Sequence, residues 1–130
     1  MIRTRSQEYA ERAYHQVDQR RGEGAKEYLT VARAFPTLLH TCGLAQALAF
    51  AAAKKGAHER VLRDLAAVLP WASVEELLRE SRRCELFDYQ RLSREARAAA
   101  TWLKRYAEAL LAGGTPSTTT LGGGNASQPG

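Results

Sequence analysis

Tyr28–Lys54, YLTVARAFPTLLHTCGLAQALAFAAAK, contains the longest nearly charge-free run of the chain, Ala34–Ala53. The run is too long for a buried strand and is rich in Ala and Leu, both strong helix formers. Pro36 and Gly43 interrupt it, which argues against one straight membrane-crossing helix. From Leu44 to Ala53 every face of a helix is apolar, the pattern of a helix buried all round. The stretch therefore predicts the central helical element of the fold, with the other helices packed against it.

The flanking sequence reads as more helix. Thr4-Arg-Ser-Gln7 has the form of a capping box, and Ala10, Ala13, Tyr14 and Val17 then make one apolar stripe before Gly22 and Gly24. A second helix opens near Ala25 with Tyr28, Leu29, Ala32 and Phe35 on one face. A bend is expected near Phe35, because proline disfavours helical geometry in the residue before it. Gly43 is a second weak point, and Gly56 is placed to end the segment. His58–Leu69 carries Val61, Leu62, Leu65, Val68 and Leu69 on one stripe and stops at Pro70. Ser73-Val-Glu-Glu76 opens a short helix to about Arg82. Asp88 is read as the N-cap of the last helix, which runs to about Ala112. Its core stripe is Leu92, Ala96, Ala99, Leu103, Tyr106, Ala107 and Leu110, and Arg94, Arg97, Lys104, Arg105 and Glu108 lie opposite.

No stretch alternates like a strand, so the expected fold is all-α: a compact bundle of about five to six helices over residues 1–112. Residues 113–130, GGTPSTTTLGGGNASQPG, form a Gly/Ser/Thr/Pro-rich tail expected to be disordered, since it cannot bury enough apolar surface to offset ordering. Asn125-Ala-Ser127 matches a glycosylation sequon that carries no meaning in a cytoplasmic protein. A cytoplasmic location is expected from the charged, h-region-free N-terminus MIRTRSQEYAER. Cys42 and Cys84 fit no metal spacing and read as reduced thiols, Cys42 as a small buried one.

A search for chemistry finds no catalytic constellation. His15 and Asp18 share helical spacing, but two groups fall short of the three protein ligands of a catalytic metal site. His40 and Cys42, two residues apart, point to different faces of a helix. The chain is therefore expected to be no enzyme and to need no cofactor or metal. The net charge is +5, and the segment from Arg79 to Arg105 has eight basic and four acidic residues, a net of +4. A clustered positive excess suits a polyanion, nucleic acid above all, and equally suits a solvated face or an acidic protein partner. Trp71 and Trp102 are read as completing the core rather than as a platform for bases.

Two blocks carry a family likeness. One is Tyr28–Lys54, with Pro36, Gly43-Leu-Ala-Gln46 and Phe50-Ala-Ala-Ala-Lys54. The other is DYQRLSREARAAATWLKRYAEALL, Asp88–Leu111, with Trp102-Leu-Lys-Arg105. In order and separation they resemble the small all-helical subunit of the type III-B CRISPR RNA-guided effector, the Cmr complex. The likeness covers everything but the tail. It departs at Thr41-Cys42, where the family tends to be polar or Asn-like before the glycine, and at Arg97, where it tends to be apolar. The resemblance implies a non-catalytic subunit. Several copies would stack beside the backbone and large subunits and line a basic channel for guide and target RNA. Sequence in such machines is read by base pairing while protein reads the backbone. On this resemblance Lys54, Arg94, Lys104 and Arg105, with Lys26, are the expected phosphate contacts. Gln46 suits either a neighbouring subunit or a local contact. The rival expectation is a helical protein–protein adaptor whose basic face meets an acidic partner.

Overall fold

A computed structural model describes residues 3–71 and 73–112. Six helices follow in order: α1 (Arg5–Asp18), α2 (Ala25–Cys42), α3 (Leu44–Lys54), α4 (Ala57–Val68), α5 (Val74–Arg83) and α6 (Leu86–Leu111). There is no strand among the described residues, and the all-α expectation holds. The tail from Gly113 onward, with its sequon, lies outside the described residues.

Local signals set most of the boundaries. The Thr4 side chain accepts from the Gln7 backbone at 3.0 Å, and the Gln7 side chain accepts from the Thr4 backbone at 2.8 Å, so the capping box is complete. Ser73 caps α5 by accepting from the Glu76 backbone at 3.1 Å. The last helix starts earlier than expected: Glu85 is its N-cap, and Asp88 sits in the first turn, paired with Arg91 at 2.9 Å.

Helix α2 passes through Pro36 without interruption, and the break comes instead at Gly43. That residue has φ 86° and ψ 164°, a region open essentially to glycine alone. A Cβ there would meet nothing nearer than the Tyr89 hydroxyl at 3.7 Å, so space is not the constraint. Gly43→Ala is therefore expected to cost about 1–3 kcal/mol through backbone conformation alone. Urea denaturation would register that as a lower midpoint with an unchanged slope.

The core gathers Val17 of α1, Tyr28, Phe35 and Leu39 of α2, Leu62 and Leu65 of α4, Leu77 of α5 and Leu103 of α6, with alanines between. Helix α2 packs most extensively on α6 and also touches α3 and α4, so the first half of the opening stretch is central as expected. The second half is not. On α3, Leu44, Ala47, Leu48 and Ala51 are buried, while Gln46, Ala49, Phe50 and Ala53 are exposed. The apolar character of α3 is all round; its burial is one-sided. On α1 the buried aromatic is Tyr9 rather than Tyr14, which is 43% exposed. Cys42 is exposed rather than buried, because its position at the end of α2 faces away from α6.

Polar side chains are buried as well, Asp64 completely. Asp64 of α4 accepts from Arg20 Nε at 2.9 Å, from Arg20 Nη2 at 2.7 Å and from the Tyr28 hydroxyl at 2.6 Å. These bonds tie the end of α1 and the start of α2 to α4. Burial, and then the adjacent carboxylate, push the Tyr28 phenol far above its ordinary range. In the unfolded chain that phenol ionises near pH 10. The folded form binds the proton more tightly, so this contribution to stability is intact below about pH 10 and declines above it. The decline is expected to approach ~1.4 kcal/mol per pH unit, and Tyr28→Phe should remove it. Denaturation midpoints between pH 9 and 11 for the two proteins check the sign.

Candidate nucleic-acid interface

Helix α6 presents the largest organised set of charges. It runs antiparallel to α2: Arg33 of α2 pairs with Glu108 near the end of α6 at 3.3 Å, and Tyr89 near its start accepts from the Ala45 backbone at 3.2 Å, just past α2. On its other flank lies α1, joined by Arg5–Glu95 at 2.8 Å and by the edge-to-face rings of Tyr14 and Tyr106 at 5.4 Å. Between these flanks α6 turns one strip to solvent.

Arg94 and Arg105 are both exposed on that strip, three turns and roughly 16 Å apart. Lys104 and Arg97 are half-buried at its α2 edge, seven residues apart and so on one line. The acidic residues of α6 do not neutralise them. Asp88 is held by Arg91, Glu95 by Arg5 and Glu108 by Arg33. Arg94, Arg97, Lys104 and Arg105 form no ion pair among the described residues. Lys26 is exposed in the first turn of α2, on the same face as Arg33, and so lies beside the last turns of α6.

Four of the five expected contact residues therefore share one side of the molecule. The fifth does not. Lys54 ends α3, on the opposite side of α2 from α6, with its ammonium 5.5 Å from the centre of the exposed Phe50 ring. The His58 ring packs edge-on to Phe50 at 5.6 Å, and partial burial, then the Lys54 charge, lower the His58 pKa below its ordinary value. Arg33, seven residues after Lys26 and so on its line, is engaged by Glu108.

Trp71 and Trp102 are both half-buried against the core, as expected. Trp102 stacks on Tyr106 with centroids 5.7 Å apart and planes 21° apart, so its face is already occupied by protein. Among the described residues no three His, Cys, Asp or Glu side chains gather as a metal site. His15 bonds to Gln19 at 3.0 Å and Asp18 pairs with Arg21 at 2.7 Å, each engaged within its own surface turn. No described helix is long and apolar enough to cross a membrane. What the described surface offers here is a row of cations without ion pairs among the described residues, able to meet a polyanion's backbone, and neither tryptophan stands free beside it to read a base.

Comparison with known proteins gives consistent matches. A family model described as CRISPR-associated protein (Cas_Cmr5) matches residues 5–110. The CRISPR system Cmr subunit Cmr5 of Thermus thermophilus is 46% identical over 112 residues, spanning 85% of this chain and 98% of that protein. The X-ray crystal structure of a CRISPR-associated Cmr5 family protein from the same organism superposes with a TM-score of 0.81. It has 46% identity and covers 85% of this chain and 99% of that one.

Proposed function

The chain belongs to the Cmr5 family of CRISPR-associated proteins, and from that premise we propose that it is a non-catalytic structural subunit of a type III-B effector in the cytoplasm. Several copies lie side by side, in contact with the backbone and large subunits, and present their α6 faces to a channel holding guide and target RNA. Arg94, Lys104 and Arg105 contact phosphates, with Lys26 extending the row. The observation that carries this reading is the set of cations on α6 that form no ion pair among the described residues, while every acidic residue of that helix from Asp88 on is held by another arginine. Such contacts act through counterion release and are indifferent to base identity, which suits a particle whose specificity lies in base pairing.

The test is the salt dependence of target-RNA binding by the purified effector with and without this chain. The complete particle should show the steeper fall of log affinity with log salt, by about 0.7 units for each phosphate contact supplied. Equal slopes would remove the channel-lining role.

A further inference from the structure

Helices α1 and α6 meet along a seam that holds an open pocket of about 460 Å³, lined by Arg3, Gln7, Ala10, Glu11, Tyr14 and Tyr106. The seam borders the cationic strip of α6, since Tyr106 directly follows Arg105. Its wall is aromatic: Trp102 stacks on Tyr106, Tyr106 meets Tyr14 edge to face, and Tyr14 ends the row 43% exposed. Its rim is polar and ordered along α1. Gln7, Ala10, Glu11 and Tyr14 fall at spacings of three and four on one face of that helix, and Ala10 leaves room between the longer side chains. The Gln7 side-chain oxygen is occupied by the Thr4 backbone N–H at 2.8 Å, so its amide NH2 is the end left to donate. One turn further on, the Glu11 carboxylate can only accept, and it forms no ion pair among the described residues. Arg3, just before the helix, is exposed, likewise without an ion pair there, and adds donors beside Gln7.

We propose that this seam binds an unpaired guanine base. The base lies against the Tyr14–Tyr106 wall with its polar edge toward α1. Along that edge guanine presents the acceptors N7 and O6, then the donors N1–H and N2–H2. Helix α1 offers the complement in the same order: donors from Arg3 and Gln7, then the two oxygens of Glu11, which suit a pair of parallel N–H groups. Adenine reverses both halves, setting its N6 amino group against the Gln7 amide and its bare N1 against the carboxylate. Cytosine and uracil each set a carbonyl oxygen against Glu11. An aromatic wall stacks with any base, so the choice rests with Gln7 and Glu11. The sugar edge then turns across the seam toward α6, where Arg105 takes the adjoining phosphate. That last contact rests on the proposed role; the pocket does not, because a free guanine nucleotide carries the same edge.

The experiment titrates the full, isotopically labelled chain with GMP, AMP, CMP and UMP and follows it by NMR. GMP should shift the Tyr14 ring signals and the Gln7 and Glu11 amides, with half-saturation at a concentration about fivefold or more below that of the other three. Glu11→Gln, an exposed change that should leave the melting temperature where it is, should abolish the preference for guanine and keep the stacking shifts. Tyr14→Ala should weaken binding of every base about tenfold. A second arm uses a short single strand of uridines with one central guanosine. Tighter binding of that strand than of GMP, lost in Arg105→Glu while GMP binding persists, assigns the base to a strand lying on the α6 row. Equal binding of the two, indifferent to Arg105→Glu, assigns it to a free nucleotide. Equal responses to AMP and GMP, a guanine preference that survives Glu11→Gln, or no shift with any of these probes overturns the pocket and leaves the proposed role standing. A guanine preference in a chain that does not change the salt slope of the effector keeps the pocket and removes the role.

Discussion

Asp64→Ala should lower the stability of the folded chain by about 3–5 kcal/mol, the usual cost of removing one partner from a buried ion pair. The carboxylate is fully buried, the Arg20 side chain is 18% exposed, and the Tyr28 ring is buried beside them. Without Asp64 the guanidinium keeps its charge in a place water barely reaches, and the Tyr28 hydroxyl loses its acceptor. Against a typical domain stability of about 5–15 kcal/mol the loss is large, equivalent to roughly 10–25 °C in Tm. Replacing all three groups together, Arg20→Met, Tyr28→Phe and Asp64→Leu, removes the uncompensated charge as well and should cost far less. Thermal melts of the single and triple variants separate the two effects. A single variant melting within about 3 °C of the parent would show that the network contributes little. The network matters to the interface because it sets the start of α2, and with it Lys26, against the rest of the bundle.

Charge reversal at Lys104 and Arg105 is expected to have the largest effect on RNA. Each copy would lose two phosphate contacts and gain two repulsive charges, so the salt slope of RNA binding by the assembled effector should fall by at least about 1.4 units per copy. Arg94→Glu alone should remove about half as much, and Lys54→Glu almost none, since Lys54 lies across α2 from this face. Lys104 and Arg105 stand outside the core and outside the ion pairs of the bundle, so the doubly reversed variant should melt like the parent. Filter retention of labelled target RNA at several salt concentrations provides the measurement. An unchanged slope, with the subunit still present in the particle, would dismiss the α6 face as the RNA contact.

Much of this was legible in the sequence, and the failures have physical causes. The stripe of α4, Val61 to Leu69, was readable because large apolar residues recur at helical spacing, and all five are buried. Asp64 lies within the same stripe, three residues after Val61 and four before Val68. A carboxylate in that place signals a buried polar network, but its partners come from α1 and α2, and pattern along one helix cannot supply them. The burial of α3 was misjudged for the opposite reason. Hydropathy reports which faces tolerate burial, and no other described helix covers the outer face of this one. Pro36 and Gly43 compete for the same break; glycine took it because α2 tolerates a missing N–H within it, whereas the turn into α3 needs a backbone only glycine adopts readily. Four of the five expected contact residues share one side because three lie on one helix. The separation of Lys54 depends on how α3 folds back, which a charge count does not reveal.

The central claim is that this chain works inside a guide-RNA particle. Its most direct test is gentle purification of the tagged chain from its native host, followed by sequencing of the RNA that accompanies it. The account predicts short RNAs that share one repeat-derived end and differ in the remainder, together with the other subunits of the effector. Recovery of no discrete RNA class, with one or a few acidic proteins in its place, would contradict it and favour an adaptor that uses the same basic face.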